Sequence, residues 1–387
     1  MKYLYVALLI VFFTACNNDK SKTVAVQNPG GASDSTGTTN PIDPIDPIDN
    51  FLRSELLDNL TINIIIPAHE NLQSNLNNLN NLVINFTNNQ NQISLSELRK
   101  SYVRTYMAWQ SVEMFNIGLA EEIDYNKTMN TYPCNTTTIN NNIINQSYDF
   151  NVSSWPSWSS QGLPALDYLL YGLGDDSTST LGFYTGNNGS NYLNYLNSIV
   201  AQMKMNTDLV TQDWQSEKES FISSDGNTAT SSLNLLTNDF IYYYEKGLRA
   251  QKIGIPCGKW NSYQIYEIGV EAYYRKNISK RLALEALSAC KEFFQGIGFN
   301  SGVAGTSYVD YLSSQGSIDV SEDILNDIDL AKISITSLDE NFRAQLLSDK
   351  WSMVEAYDAL QQVVVHLKVY MLISLQITVD YVDADGD

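Results

Sequence analysis

Apolar residues recur along most of the chain at steps of three and four, the spacing that places them on one face of an α-helix. Segments 56–85, 190–219, 229–250 and 279–295 have this pattern. Alternation of apolar and polar residues, which is typical of strands, is rare and forms no series. The sequence therefore predicts an all-α protein built from two packed helical bundles.

Two further segments have clear helical stripes. The first follows Ser94-Leu95-Ser96-Glu97, which has the S-x-x-E form of an N-terminal capping box and predicts a helix start there. Its apolar positions are Leu98, Tyr102, Tyr106, Trp109 and Val112. The second stripe predicts a long helix near the C-terminus, with Trp351, Val354, Tyr357, Leu360, Val364, Leu367 and Met371 facing the core.

Breaks in the pattern predict the loops and the boundary between the bundles. Polar segments rich in Gly and Asn predict loops at 126–160, 174–190 and 296–306. Because Pro256 should end a helix, we place the boundary before Gly254. The N-terminal bundle is then 51–253 and the C-terminal bundle 254–387, the two together forming one domain.

The first residues predict a membrane anchor. Met1-Lys2-Tyr3 precedes an apolar stretch at 4–13, which is too short to span a bilayer as a helix. A small residue directly before Cys16 resembles a bacterial lipoprotein signal, in which the cysteine becomes the lipidated first residue. We therefore expect a signal peptide at 1–15 and a chain anchored through Cys16 to a membrane of the cell envelope, most simply the outer membrane. The alternative is an ordinary signal peptide that contains a cysteine.

The segment 16–50 reads as a linker. It is rich in Ser, Thr, Gly, Asn, Asp and Pro, and its run from Pro41 to Asp49 repeats Pro-Ile-Asp three times. Proline at every third place disfavours a helix and favours extended chain. We expect a disordered tether between the anchor and the folded body; a peptide ligand for another protein is the alternative.

Charge and composition exclude several classes of function. The 387 residues include 23 Lys and Arg against 43 Asp and Glu, a net charge of −20. This balance argues against nucleic-acid partners and against docking on anionic lipid through a basic patch. The two histidines, His69 and His366, cannot form a three-histidine zinc site. No G-x-S-x-G and no phosphate-binding loop motif occurs.

The spacing of the cysteines does not predict a metal site. With Cys16 lipidated, three cysteines remain, and an odd number allows at most one internal disulfide. The three are Cys134, Cys257 and Cys290.

Four segments stand out: WQSVEMFNIG at 109–118, GLPALDYLLYG at 162–172, LRAQKIGIP at 248–256, and the final helix from 367 with its D-x-D-G-D ending at 383–387. Together they resemble the imelysin family of bacterial secreted, often lipid-anchored proteins. The resemblance extends from about Leu56 to the last residue. It implies an all-α fold of two helical bundles, a pocket at their junction and a link to iron acquisition.

The resemblance also implies a metal site that this sequence alters. The family's G-x-H-x-x-E motif supplies a His and a Glu, which have been taken as part of a peptidase metal site. Here Pro164 and Asp167 stand at those two positions. Proline supplies neither a ligand nor a base, and the shorter Asp draws its carboxylate back, so these two residues do not support a peptidase mechanism. A capped helix start explains the same segment without chemistry.

Other candidate residues follow from burial and charge. Glu113 lies four residues after Trp109 on the same face, where a buried Glu needs a partner. Arg249 and Lys252 are candidate partners, although both also suit a solvated helix end. The predicted ligand-binding set is Trp109, Glu113, Gly162, Pro164, Asp167, Tyr168, Arg249 and Lys252. Glu113 and Asp167 are the predicted metal ligands.

Tyrosines and carboxylates cluster at 242–245 and 266–274. Oxygen ligands of this kind suit ferric iron or calcium, the metals we consider, better than zinc. The alternative is the packing of amphipathic rings with their hydroxyls at the rim.

Three functions are compatible with these observations. The first is a non-enzymatic binding component associated with iron or haem uptake. It would bind iron, haem or a peptide between the bundles and interact with envelope uptake proteins. The second is a divergent metallopeptidase. The third is an outer-membrane interaction scaffold with a vestigial site.

Overall fold

The computed structural model describes residues 51–379, which belong to one compact unit, Asp49–Asp387. The predicted signal peptide, the anchor Cys16, the linker and the D-x-D-G-D ending lie outside the described residues. The bundle boundary before Gly254 stays a prediction.

Helices form nearly all the regular structure of the described part, which confirms the predicted all-α class. In chain order they are α1 (Arg53–Asp58), π1 (Asn59–Ile65), α2 (Ile66–Asn88), α3 (Gln92–Trp109), α4 (Leu119–Glu122), α5 (Tyr125–Asn130), α6 (Thr136–Asn145), α7 (Trp155–Trp158), α8 (Gly162–Asp167), π2 (Tyr168–Gly172), α9 (Ser177–Thr185), α10 (Gly189–Ser223), α11 (Ser232–Tyr242), π3 (Tyr243–Gly254), a 3-10 turn (Glu267–Gly269), α12 (Ser279–Phe294), α13 (Tyr308–Ser314), α14 (Ile318–Ser337), α15 (Phe342–Val365), π4 (His366–Met371) and α16 (Leu372–Ser374). Residues 51–379 contain no strand, only an isolated antiparallel bridge between Ile297 and Ala304.

The long helices pack in two groups around one continuous apolar core. Helix α2 packs between α3 and α10, while α15 packs against α14 and π3, and α12 contacts α14. Helix α12 also contacts α3 and π3, so the two groups share buried surface.

The predicted start of α3 at Ser94 is wrong. The N-cap is Asn91, whose side-chain oxygen accepts hydrogen bonds from the N–H groups of Ile93 and Ser94 at 2.9 and 3.0 Å. The Ser94 hydroxyl accepts in return from the Asn91 N–H at 3.2 Å. Ser94 is therefore the third residue of the helix and not its cap, because the helix begins three residues earlier than predicted and Asn91 caps its first free N–H groups.

The C-terminal stripe is correct except at its first member. Trp351 is 56% exposed, whereas the other six residues of the stripe are buried. Asp349 has non-helical angles (φ −157°, ψ 86°), so the helix begins again just before Trp351. The indole therefore lies at the outer edge of a first turn, beyond the reach of the core.

Two of the predicted loops contain helices. Segment 126–160 includes most of α5 and all of α6 and α7, and 174–190 includes α9. Their Asn, Asp and Ser residues act as helix caps: Asn135 accepts from the Thr138 N–H at 3.1 Å and Asp176 from the Ser179 N–H at 2.7 Å. Polar residues that favour turns thus also begin short helices. Segment 296–306 is irregular, as predicted.

Two further features bear on the predictions. Cys134, Cys257 and Cys290 are free thiols. Within 51–379, no helix combines the length and the apolar character needed to cross a membrane.

Candidate functional site

A buried ion cluster forms where π3 meets the end of α3. The Lys252 ammonium lies 3.1 Å from Glu113 Oε2 and 2.9 Å from both carboxylate oxygens of Glu271. All three side chains are buried, Lys252 to within 1% of full burial. The structure thus pairs Lys252 with Glu113, as the sequence suggested, and adds a second carboxylate.

Neutral side chains complete the cluster, which we call the charge network. Asn130 donates to Glu113 Oε1 at 2.7 Å and to Glu271 Oε1 at 3.0 Å. Gln110 donates to Glu271 Oε1 at 3.3 Å, and the Tyr243 hydroxyl donates to Glu113 Oε2 at 3.1 Å. Each carboxylate therefore receives several donors, which is the condition for burying a charge at tolerable cost.

The electrostatics of the network keep the lysine charged. Burial disfavours the ammonium of Lys252, but Glu113 and Glu271 outweigh that effect, so its pKa lies above the usual value. Burial and the neighbouring charge of Glu113 raise the pKa of the Tyr243 hydroxyl, which therefore remains a proton donor in the hydrogen bond. Two carboxylates thus share one ammonium.

Local structure places each member of the network. The N–H of Glu113 donates to the carbonyl of Trp109 at 3.0 Å, so Glu113 lies one turn beyond the end of α3. Lys252 lies near the end of π3, a wide helical form that often occurs at functional sites. Glu271 precedes Ala272, which has a positive φ of 55° in a turn without regular structure.

A small cleft lies beside the network, at the altered motif. It has a volume of about 150 Å³ and contains both Pro164 and Asp167. Its other walls are Tyr132, Pro133, Cys134, Thr136, Ile268, Val270, Ala272, Tyr273 and Tyr274. The segment 270–274 thus lines the cleft and, through Glu271, also supplies the charge network.

Asp167 is held by backbone donors from that same segment. Its Oδ2 accepts from the N–H of Tyr274 at 2.7 Å and its Oδ1 from the N–H of Arg275 at 3.0 Å. Burial raises its pKa to about 7, and these hydrogen bonds only partly oppose the rise. Asp167 is the last residue of α8 and fastens this helix to the 270–276 segment.

Two neighbours of Asp167 in the motif have structural roles. Gly162 has a φ of +75°, and a Cβ there would strike the carbonyl oxygens of Thr128 and Met129, so only glycine fits. The Tyr168 hydroxyl accepts a hydrogen bond from the Asn140 amide at 3.1 Å, and the Tyr168 ring centroid lies 5.2 Å from that of Tyr274 at the cleft.

The remaining predicted residues lie outside both the cleft and the network. Trp109 is buried edge-on to Tyr125 at 5.3 Å, and its indole N–H has no hydrogen-bond partner among the described residues. Arg249 pairs with Glu245 at 3.5 Å and lies over the ring of Tyr357 at 4.7 Å. The 242–245 tyrosine cluster thus divides: Tyr243 joins the network and Glu245 joins a separate group of cations.

The arrangement of these side chains does not fit a resident iron or calcium ion. Glu113 already accepts hydrogen bonds from Lys252, Asn130 and Tyr243, and both oxygens of Asp167 already accept backbone N–H groups. Among residues 51–379 no three His, Cys, Asp or Glu side chains converge as an ion site requires. Burial also raises the pKa of Tyr132 and of Tyr274, which disfavours the phenolate forms that ferric iron prefers.

Several residues of the charge network could not be predicted from the sequence. Asn130, Gln110 and Tyr106 contribute to the network, the last by donating to Asn130 at 2.7 Å. The chain is rich in Asn and Tyr, so nothing local distinguishes these members from solvent-exposed ones. The sequence pointed to the charge network in one way only: a Glu on the same helix face as a core Trp needs a partner.

These observations define an all-α protein with a buried charge network next to a small aromatic cleft. Two crystal structures share its fold: an iron-regulated protein A precursor from Parabacteroides distasonis (TM-score 0.70, 15% identity, covering 87% of this chain and 97% of that chain) and an imelysin-like protein from Psychrobacter arcticum (TM-score 0.67, 17% identity, covering 88% and 100%). The family described as imelysin matches residues 65–369. The chain therefore belongs to the imelysin family, which confirms the predicted resemblance. No curated protein matches it.

Proposed function

We propose that this chain is a lipid-anchored protein of the cell envelope that binds an iron-carrying organic ligand, with haem as the first candidate, and catalyses no reaction. The cleft beside Pro164 and Asp167 is the proposed binding place. Cys16 is the proposed anchor, and envelope uptake proteins are the proposed partners.

The observation that carries this proposal is the position and bonding of Pro164 and Asp167, the two residues of the altered motif. Pro164 lines the cleft at the position where the resemblance to the family motif implies a histidine, and it supplies no base and no ligand. Asp167 is committed to the Tyr274 and Arg275 N–H groups. A site with neither a free base nor a free ligand supports binding and not peptide hydrolysis.

The walls of the cleft support an organic ligand over a bare ion. Tyrosine rings, prolines and aliphatic side chains form most of its surface. Its 150 Å³ is below the roughly 300–1,000 Å³ typical of sites that enclose a ligand, so we expect it to take one edge of a larger molecule. One structural neighbour is named an iron-regulated protein, which supports the iron part of the proposal.

A haem titration tests the proposal directly. The full-length protein in detergent is titrated with haem and followed by absorbance, and in parallel it is incubated with ferric iron and with calcium, desalted and analysed by elemental mass spectrometry. We expect saturable haem binding and no retained iron or calcium. Thr136→Phe, which fills the cleft without removing a buried partner, should weaken haem binding at least tenfold.

The adjacent residue provides the matched control. Thr137 is exposed on the same turn of α6 and does not line the cleft, so Thr137→Phe should bind haem like the unchanged protein. Equal affinities for both variants would contradict the cleft as the binding place. Peptide hydrolysis that disappears in Asp167→Ala would favour the metallopeptidase instead.

A further inference from the structure

An exposed aromatic patch lies between π3 and α12 and at the restart of α15. We define this aromatic patch as Trp260, Tyr263, Ile265, Tyr266, Ile268 and Trp351, whose exposures range from 39% to 56%. The rings of Tyr263 and Trp351, 5.4 Å apart, join its two segments. Five of the six side chains come from the nine-residue segment 260–268, and large apolar side chains exposed at neighbouring positions often mark an interaction surface.

The backbone beneath the aromatic patch is held in an uncommon conformation. Ser262 and Tyr263 both have positive φ, 48° and 61°, although neither is glycine. The Tyr263 N–H donates to the Gly258 carbonyl at 2.7 Å, and the Lys350 ammonium donates to the Tyr263 carbonyl at 2.8 Å. These bonds maintain a turn that displays rings to solvent, a conformation of the kind that is retained where it has a use.

Lysines accompany the exposed rings. The Lys350 ammonium lies 4.9 Å from the centre of the Trp351 ring, and the Lys259 ammonium lies 5.6 Å from that of Tyr263. Lys259 also pairs with Asp358 at 2.7 Å, so the charge of this lysine is balanced locally. Tryptophan and tyrosine beside lysines with long apolar stems are the residues typical of the headgroup region of a bilayer.

We propose that the aromatic patch docks the folded unit on the phospholipid surface that holds its anchor. This inference rests on the anchoring through Cys16 in the proposed function. Residues 17–50 number 34, and a chain of that length can span at most roughly 120 Å, about twice the length of the 35-residue helix α10. An anchor at Cys16 would keep the folded unit close to the bilayer and hold the aromatic patch at high local concentration there.

The charge of the chain determines which bilayer suits this docking. With a net charge of −20, the protein is repelled by anionic lipid, so the attraction comes from the rings and not from a basic surface. We therefore expect docking on zwitterionic phosphatidylcholine that is insensitive to salt. Added anionic lipid should weaken it.

Quenching of tryptophan by the lipid tests the docking. The anchored full-length protein, purified from bacterial membranes, is reconstituted in phosphatidylcholine vesicles with and without bromine-labelled lipid. Tyr263→Ser with Ile265→Ser disrupts the aromatic patch but keeps every tryptophan. We expect quenching in the unchanged protein and a several-fold loss of quenching in this double variant.

A second exposed apolar pair gives the matched control. Ile144 and Phe183 are 67% and 37% exposed and lie outside the aromatic patch, so Ile144→Ser with Phe183→Ser should leave quenching unchanged. Protein that floats with the vesicles but shows no quenching would overturn the docking and leave the anchoring intact. Protein that does not float would contradict the anchoring and the docking together. Self-association that disappears in the Tyr263 and Ile265 variant, without quenching, would assign the surface to a second copy and overturn the proposal.

Discussion

At the scale of single residues, buried polar groups decide where chemistry is available. Lys252, Glu113 and Glu271 satisfy one another, and Asp167 is satisfied by backbone N–H groups. Groups that are fully paired are poor metal ligands, because binding an ion would first break hydrogen bonds that burial makes costly to lose. The open surface at this place is the aromatic wall of the cleft.

The pH dependence of stability tests the state of Asp167. Its pKa is 3.8 in the unfolded chain and about 7 in the folded one, so its contribution to stability is fully present below pH 3.8 and is lost as the pH rises through 7. The stability advantage of the unchanged protein over Asp167→Asn should therefore fall by roughly 4 kcal/mol between pH 4 and pH 8. Urea unfolding at a series of pH values measures it.

Comparing the free energy of unfolding of the unchanged protein with that of Asp167→Asn cancels the contributions of other titrating groups. His69, for example, has a pKa lowered to about 4 by burial, which acts in the opposite direction but equally in both. An advantage that grows with pH would mean that the N–H donors outweigh burial and keep Asp167 ionised.

At the scale of helices, local capping and local widening position the site. The box formed by Asn91 and Ser94 sets the start of α3, and the end of α3 in turn positions Glu113. The wide helix π3 carries Glu245, Arg249 and Lys252, all buried. Both features depend on backbone hydrogen bonds that an apolar stripe does not specify.

The cap of α3 gives a prediction at this scale. Asn91→Ala removes the side-chain acceptor for two N–H groups and should lower the free energy of unfolding by about 1 kcal/mol. Glu97→Ala is the control, because Glu97 is exposed and outside the box. Urea unfolding compares them, and a larger loss for Glu97→Ala would restore the cap first predicted from the sequence.

At the scale of the whole molecule, the charge network joins distant parts of the chain. Lys252 and Glu113 are 139 residues apart, and Asn130 and Glu271 are 141 apart. The network therefore connects the end of α3 and α5 to π3 and the 270–276 segment. Its loss should affect the folded unit as one body.

Removing the lysine tests this coupling. Lys252→Met leaves two carboxylates buried without a counterion and should lower the free energy of unfolding by about 3–5 kcal/mol, within a single transition. Adding Glu113→Gln and Glu271→Gln should recover much of that loss, because the carboxylate charges are then gone. Circular dichroism during chemical unfolding measures both. Two separate transitions would instead support independently folding bundles.

The amino-acid sequence by itself determined the helical class, most of the long helices, the family resemblance and the need of Glu113 for a partner. The helices follow from local periodicity, and the need of Glu113 for a partner follows from the cost of burying a charge. Both can be recognised from residues that are close together in the chain. Only the tertiary structure decided that the partner is Lys252 with Glu271, that Asp167 is held by the 270–276 segment, and that Trp351 faces solvent. Those outcomes depend on contacts between residues far apart in the chain, and a linear pattern carries no record of which distant groups meet.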